Sequence, residues 1–280
     1  MSDTVKTKKR WFLKAELVIL VCLACFWTFK SGTVDIDGVK AGVLRQVVKI
    51  DPDNIDAHRF LADHYHYSDR YEEAIRAYKE TVRIDPNDLD AQLNLAYTCD
   101  SLGRFEEETQ AYREAIRIDP NDAGIWNHLG DAYASSGRYE KAIDAYKQAE
   151  KLDPNLPWTQ ICLAFTYKDM QRYEDAVEAF KQVIKLEPDI AGLHSMLGEV
   201  YIQTGQYVEA IQNFQNAILM DQDHARAHFN IGKVYLKMGD KDLALEEYEI
   251  LKTLDEELAN ELFEMLTDSC QFEESSENGE

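Results

Sequence analysis

The sequence predicts an all-α fold, a solenoid of helix-turn-helix repeats preceded by one transmembrane helix. The first observation is a 34-residue period on which proline recurs, at Pro52, Pro86, Pro120, Pro154 and Pro188. The second is that glycine follows the same period, at Gly103, Gly137, Gly205 and Gly239, with Asp69 and Gln171 in the other two places. A fixed period of this size indicates a repeat array. The third observation is an uncharged apolar run over residues 17–29.

Each period contains two predicted helices. In the unit that begins at Ala123, apolar residues spaced by three or four define one face of each helix. Gly137 separates the two helices, and glycine is the residue type expected just after a helix. Asp153 and Pro154 end the unit, because the residue before a proline avoids the helical region. Neither helix can bury its apolar face alone, so neighbouring units must stack.

The third unit carries a full set of signature residues, namely Trp126, Leu129, Gly130, Tyr133, Ala142, Tyr146, Ala149 and Pro154. With these residues the unit resembles the tetratricopeptide repeat, and the resemblance implies a right-handed α-solenoid. Six full repeats occupy residues 55–258, and they begin at Ile55, Leu89, Ala123, Pro157, Ala191 and Ala225. The resemblance therefore covers most of the chain.

A small residue is expected where the two helices of a repeat cross, since a larger side chain would force them apart. These residues are Ala62, Ala96, Gly130, Ala164, Gly198 and Gly232. The second repeat departs from the pattern, with Glu108 in the facing alanine place and Cys99 in a tyrosine place. Burying an unpaired carboxylate costs several kcal/mol, so Glu108 is expected to reach water from a slightly opened repeat. The alternative is a soft point where the solenoid flexes or is contacted.

Residues 11–30 are predicted to form a transmembrane signal anchor. The thirteen uncharged residues 17–29 rise only about 20 Å, short of the roughly 30 Å hydrocarbon core. The span must therefore begin at Trp11, with the Lys14 side chain extending to the membrane surface. Residues 1–10 are basic, which places the N-terminus in the cytoplasm and the repeats on the opposite, periplasmic or extracytoplasmic, side.

Two alternatives exist for the same segment. It could be a cleaved secretory signal, with a small-x-small site over residues 22–24, or a lipoprotein signal that ends at Cys25. The five cysteines of the chain show no disulfide framework, and they are interpreted as small apolar residues and one surface thiol.

The remaining segments are short. Residues 31–37 are a predicted linker, and residues 38–54 are a half-repeat that caps the first full repeat. Residues 259–270 are a predicted C-terminal capping helix, because a solenoid needs a cap with a polar outer face. Residues 271–280 are acidic and are predicted to be disordered.

The chain is strongly acidic, with a formal net charge of −22. Beyond residue 30 there are 24 Lys or Arg against 50 Asp or Glu, a net charge of −26. Such a surface repels nucleic acid and anionic membranes. The expected partners are proteins or peptides with basic and apolar segments. The alternative is a homo-oligomer, in which the partner is another copy of this chain.

No catalytic arrangement is evident in the sequence. There is no nucleophile with a neighbouring base and no glycine-rich phosphate loop. The chain is therefore predicted not to be an enzyme, and no catalytic residue, metal or cofactor is predicted.

The resemblance places function in a concave groove lined by the first helix of each repeat. The predicted wall is acidic at first, apolar in the middle and basic at the end, and its residues are Asp63, Asn94, Asp131, Trp158, Ile161, Phe165, Met196, Arg226 and Lys233. The acidic part also includes Asp56, Arg59, Asp90, Asp100, Asn127 and His128. The alternative for Ile161 and Phe165 is a place in the core between repeats.

Some members of this family bind acidic C-terminal tails through a clamp of lysine, arginine and asparagine side chains. Here Arg59 is followed by Asp63 where the clamp needs asparagine, so this binding mode is disfavoured. The expected function is a membrane-anchored, non-catalytic scaffold that binds partner proteins or peptide segments in its groove. The alternative is a self-assembling structural solenoid or an accessory subunit of a membrane or envelope complex.

Overall fold

The computed structural model describes residues 36–277. The chain divides into two compact units, and the boundary in the sequence lies between Gly137 and Arg138. The described residues form fourteen α-helices and no strand, which confirms the all-α prediction. The first unit contains α1 (Ile36–Ile50), α2 (Ile55–Tyr67), α3 (Tyr71–Ile84), α4 (Leu89–Asp100), α5 (Phe105–Ile118) and α6 (Ala123–Ser135). The second unit contains α7 (Tyr139–Leu152), α8 (Pro157–Asp169), α9 (Tyr173–Leu186), α10 (Ala191–Gln203), α11 (Tyr207–Met220), α12 (Ala225–Met238), α13 (Lys241–Leu254) and α14 (Glu256–Glu277).

The predicted basic segment 1–10 and the predicted membrane anchor 11–30 lie outside the described residues, as does most of the linker 31–37. Among residues 36–277, no helix has the length and apolar character needed to cross a membrane.

Within each unit, helices that are consecutive in the chain pack against each other. In the first unit each helix from α1 to α5 contacts the next, and in the second unit the same holds from α7 to α14. The first helices of the six repeats begin at the six positions counted in the sequence. A stack in which each element contacts its neighbours is the arrangement of tetratricopeptide solenoids.

Side chains that precede α2, α4 and α6 fix where these helices begin. Oδ1 of Asn54 accepts a hydrogen bond from the Ala57 amide at 3.0 Å, and Oδ1 of Asp88 accepts one from the Ala91 amide at 3.1 Å. Asp122 accepts a hydrogen bond from the Gly124 amide at 2.7 Å. Each acceptor satisfies an amide that has no partner within the helix.

The turn inside each repeat requires a left-handed backbone at the position where glycine recurs. Gly103, Gly137, Gly205 and Gly239 have φ angles between 65° and 82°. Asp69 and Gln171 hold the same place in the first and fourth repeats, and their φ angles are 56° and 58°. A non-glycine residue in this region costs about 1–2 kcal/mol, so the stacking of the helices overrides the local preference at these two residues.

In the repeats whose two helices belong to one unit, the core lies where the helices cross at small side chains. Ala62 on α2 and Ala74 on α3 are fully buried, and so are Ala164 on α8 and Ala176 on α9. At Gly198 on α10, an added Cβ would lie 2.8 Å from the fully buried ring of Phe214 on α11. The crossing therefore leaves no room for a methyl group in this repeat.

The two helices that flank the repeats each pack on the neighbouring repeat, α1 on α2, and α14 on α12 and α13. On α1, Ala41 is buried and the Arg45 Nε atom donates a hydrogen bond to Tyr65 Oη at 2.8 Å. On α14, Leu262 is fully buried, and an added Cβ at Gly232 would lie 2.6 Å from its Cδ2 atom.

The C-terminal helix is longer than the predicted cap of residues 259–270. It runs from Glu256 to Glu277, so the prediction of disorder is wrong for residues 271–277. Glutamate and glutamine have good helix propensity, and the first glycine after α14 begins is Gly279.

Glu108 is the one place where the second repeat departs strongly from its neighbours. The expectation that it reaches water is wrong, because Glu108 on α5 is only 4% exposed and its Oε2 atom has no hydrogen-bond partner. Burial, together with the nearby Asp100 and Asp131 carboxylates, raises the pKa of Glu108 to about 7. Cys99 on α4, where the other repeats carry tyrosine, is fully buried.

Replacing Gly198 by alanine should destabilise the second unit by about 1–3 kcal/mol, since the new methyl group would overlap the Phe214 ring. Gly192→Ala on the same helix is the matched control, because nothing lies within 4 Å of a Cβ at that position. Alanine there should leave the free energy of unfolding unchanged or raise it by less than about 1 kcal/mol. Chemical denaturation measures both variants, and equal stability of the two would contradict the close crossing.

Glu108→Gln should stabilise the first unit at pH 8 and have little effect at pH 5. Because the folded state raises the pKa of this carboxyl, the folded protein binds the proton more tightly than the unfolded chain. The ionised carboxylate therefore destabilises the fold by about 3 kcal/mol above pH 7, and this cost falls below about 1 kcal/mol near pH 5. Thermal melts of both proteins at the two pH values test the prediction. A gain in melting temperature that is the same at both would show that Glu108 does not titrate as a buried group.

Candidate protein-interaction surfaces

The predicted groove residues lie on the first helices of the repeats, α2, α4 and α6 in the first unit and α8, α10 and α12 in the second. The first-unit surface carries Asp63, Asn94 and Asp131, which are all half-buried. The second-unit surface carries Trp158, Ile161, Phe165, Met196, Arg226 and Lys233.

Part of the acidic wall in the first unit is used for internal contacts. Asp63 accepts a hydrogen bond from Tyr78 Oη at 2.6 Å, and burial with this bond raises the pKa of Tyr78 well above its ordinary value. Arg59 forms an ion pair with the buried Asp88, and the hydrogen bond to this carboxylate raises the pKa of the guanidinium. Arg59 therefore joins the first repeat to the N-cap of α4.

Asn127 does not belong to the surface, contrary to the prediction. It is only 2% exposed, and its Oδ1 atom has no hydrogen-bond partner. The next residue, His128, faces outward with 40% of its side chain exposed, and its Nδ1 atom lies 3.8 Å from Oδ2 of Asp131. Adjacent residues point to different sides of a helix, so a shift of one position along α6 decides whether a side chain is buried or faces solvent.

An aromatic cluster of residues from α4, α5 and α6 lies beside the Asp131 carboxylate. The rings of Tyr112 and His128 stack with centroids 5.9 Å apart and planes inclined by 17°. Tyr97 meets both rings edge to face, at 6.0 Å from Tyr112 and 5.4 Å from His128. Tyr97 is 40% exposed while Tyr112 is buried, so one tyrosine remains available to a partner.

Glu108 lies next to this cluster, although the sequence-based prediction of the groove does not include it. Its carboxyl is close enough to Asp100 and Asp131 for both to raise its pKa. The available signal is the glutamate in an alanine position of the repeat, which marks a local departure from the packing pattern. From the sequence alone, a glutamate at this position predicts lower stability of the repeat or a point where the solenoid flexes. It does not predict that the carboxyl lies near Asp100 and Asp131.

Trp158, Ile161 and Phe165 lie on one face of α8, because they are spaced by three and four residues. Trp158 is 55% exposed, and Ile161 and Phe165 are half-buried. Cys162 is buried and belongs to the core rather than to the surface. An exposed tryptophan above partly buried apolar side chains is the composition found in the energetic centres of protein interfaces.

Phe165 also has a structural role. Its ring lies edge to face with the fully buried ring of Phe180, with centroids 5.7 Å apart. The Lys168 Nζ atom lies 5.7 Å from the Phe165 centroid and 3.7 Å from the Glu199 carboxylate. Phe165 therefore packs on the second helix of its own repeat, and its role in partner binding stays a prediction.

The first helix of the last repeat carries three basic side chains. Arg226, Lys233 and Lys237 lie on one face of α12, with spacings of seven and four residues. Arg226 and Lys237 are exposed, and the Lys233 Nζ atom lies 4.9 Å from the ring centroid of the buried Phe229. Among the residues whose side chains the structure describes, no group of three His, Cys, Asp or Glu is arranged to hold a metal ion.

Several family models match the chain. A model described as the cytochrome c-type biogenesis protein H TPR domain matches residues 105–227. One tetratricopeptide repeat model matches the chain twice, over residues 41–88 and 61–123. A second tetratricopeptide repeat model matches residues 204–266. No curated protein matches the chain.

Three solved structures of similar fold are each less than 25% identical to this chain, so they show the fold alone. A MamA crystal structure is 24% identical with a TM-score of 0.57, and the match covers 61% of this chain and 94% of that one. PilF of Pseudomonas aeruginosa is 22% identical with a TM-score of 0.55 and coverages of 75% and 96%. YrrB is 20% identical with a TM-score of 0.56 and coverages of 68% and 100%.

The repeat models together span residues 41–266 without a gap, and the helices of the structure follow the same repeats. Tetratricopeptide proteins act as protein-interaction scaffolds. By sequence and by fold, this chain is a tetratricopeptide repeat protein.

Proposed function

We propose that the protein is a membrane-anchored, non-catalytic scaffold that binds partner proteins or peptide segments on the first helices of its repeats. The observation that carries this proposal is Trp158, which is 55% exposed on the same face of α8 as Ile161 and Phe165. A large aromatic side chain gains substantial free energy when a partner removes it from water.

The charge of the chain favours a partner with basic residues. Beyond residue 30 the net charge is −26, and the first-unit surface contains Asp63, Asp100 and Asp131. Complementary charge accelerates association and selects among partners. The basic face of α12 favours acidic groups of a partner near the last repeat.

Peptide binding has a parallel among proteins of this fold. YrrB is described as a tetratricopeptide protein with an unusual peptide-binding site, and the present chain has an exposed apolar side chain on the helix set that such proteins use. The tetratricopeptide fold generally serves as a binding scaffold without catalysis, which agrees with the proposal.

The anchor rests on the sequence of residues 1–30. The charge-free run 17–29 and the basic segment before it favour a single membrane span with a cytoplasmic N-terminus. The repeats would then work on the opposite, periplasmic or extracytoplasmic, side. The two alternatives for residues 11–30 are a cleaved secretory signal and a lipoprotein signal that leaves a lipid on Cys25.

Trp158→Ala should abolish partner capture without lowering stability. Buried aromatic anchors contribute at least about 2 kcal/mol to binding, whereas an exposed side chain contributes little to folding. The full-length tagged protein is captured from its native membrane, and mass spectrometry compares the co-purifying proteins. Phe165 is left unchanged, because its contact with Phe180 would confound the result.

Leu219→Ala is the matched control, since Leu219 is 79% exposed but lies on α11, a second helix of its repeat. It should leave capture unchanged. If Trp158→Ala retains the same partners as the parent, the binding surface lies elsewhere. If the only protein recovered is the chain itself, the self-assembly alternative replaces the proposal, and light scattering should then show a concentration-dependent mass.

Deletion of residues 1–30 should move the protein from the carbonate-resistant membrane fraction to the supernatant, because it removes the only predicted apolar span. The intact mass of the parent distinguishes the three forms of the N-terminus. An uncleaved chain supports the anchor, a chain that begins after Ala24 supports a secreted protein, and a lipid mass on Cys25 supports a lipoprotein.

A further inference from the structure

We propose that Glu108, Asp100 and Asp131 form a subsite for one cationic side chain, arginine or lysine, of a partner segment, with the ring of Tyr97 beside it. The inference rests on the proposed function, in which partner segments bind on the first helices of the repeats. It names the chemistry of one contact and adds a residue of a second helix, α5, to the surface.

The main observation is a buried acceptor without a donor. Glu108 is 96% buried, and Oε2 has no hydrogen-bond partner. Buried polar atoms in native proteins are nearly always paired, and an exception calls for a specific explanation. A donor that arrives with a partner would satisfy this atom.

The surroundings favour a positively charged donor. Asp100 on α4 and Asp131 on α6 both act on the Glu108 carboxyl. Asp100 is exposed, and 36% of the Asp131 side chain is exposed, so both can be reached from outside. The Nδ1 atom of His128 already lies 3.8 Å from Oδ2 of Asp131. A cation that enters the subsite would compete with this contact.

The aromatic rim fits the same kind of side chain. Tyr97 is 40% exposed and lies against Tyr112 and His128. Cations bind favourably over tyrosine rings, and the chain itself uses this contact elsewhere. The Arg70 guanidinium lies 4.6 Å from the Tyr65 centroid, and that of Arg172 lies 4.7 Å from the Tyr167 centroid.

The spacing of the carboxylates suits an organic cation better than a metal ion. No three acidic, histidine or cysteine side chains in the described part of the chain are close enough to share one ion. A guanidinium has five donors and is several ångström wide, so it can contact carboxylates that a single ion cannot join. Because Oε2 is closed to solvent, a neighbouring side chain must swing aside as the cation enters.

Binding should be coupled to release of a proton. The groups near Glu108 are Cys99 and Asp100 from α4, Tyr112 from α5 itself and Asp131 from α6. The rings of Tyr97 and His128 lie against the Tyr112 ring. Burial and the two aspartates hold the pKa of Glu108 at about 7, and an entering cation favours the ionised form. Affinity should therefore rise by about tenfold from pH 6 to pH 8.

The test uses the full-length ¹⁵N-labelled protein in detergent micelles, titrated with N-acetyl-arginine amide and followed by NMR. N-acetyl-citrulline amide is the uncharged probe of nearly the same shape. The arginine probe should give saturable shifts of amides on α4, α5 and α6, and the citrulline probe should give none. Glu108→Gln should weaken binding at least fivefold at pH 8 and remove most of the pH dependence.

Glu106→Gln is the control for charge on the same helix, since Glu106 is exposed; it should leave affinity and pH profile close to those of the parent. Asp100→Asn is a second variant that keeps the buried carboxyl, and it should also weaken binding. Equal binding of the two probes, or parent-like affinity of Glu108→Gln, would overturn the subsite.

The two proposals can fail separately. If Trp158→Ala abolishes partner capture but the arginine probe does not bind, only the subsite is wrong. If the probe binds through Glu108 while capture is insensitive to Trp158, the subsite stands and the proposed partner surface of the second unit is wrong.

Discussion

The close crossing of two helices at a pair of small side chains is the constraint on which each repeat depends. At Gly198 the Phe214 ring occupies the volume that a methyl group would need, and the alanines at the other crossings are fully buried. Close-packed interiors tolerate neither added volume nor voids. Once this contact is fixed, the turn between the helices must adopt a left-handed backbone, and even Asp69 and Gln171 accept it.

The second repeat shows what happens when this constraint is relaxed. A glutamate replaces the alanine on α5 and a cysteine replaces the tyrosine on α4, and both side chains are buried in a repeat that keeps its fold. This arrangement does not remove the cost of desolvating a carboxyl, which is visible as the raised pKa of Glu108. A repeat array tolerates such a local cost because each repeat contacts only its neighbours.

The sequence was sufficient to predict the repeats, because a 34-residue period encodes local contacts. The helix starts at Ile55 and Ala225, and the burial of Ala62, follow from this period alone. Side-chain direction was less predictable. Asn127 and His128 are adjacent, and only the packing of α6 against α5 decides that the first is buried and the second exposed.

The composition of the predicted groove could be read from the sequence, whereas the pairing of its side chains could not. The sequence indicated acidic, apolar and basic regions, yet it contained no sign that Arg59 is held by Asp88 or that Asp63 is held by Tyr78. These contacts join residues that are 15 to 29 positions apart, so they depend on how the helices stack. Surface charges that are already paired offer less to a partner than their number suggests. In the first unit the Oε2 atom of the buried Glu108 has no hydrogen-bond partner, and in the second unit the Trp158 ring is 55% exposed. Each of these groups therefore indicates a candidate contact more specifically than the net charge does.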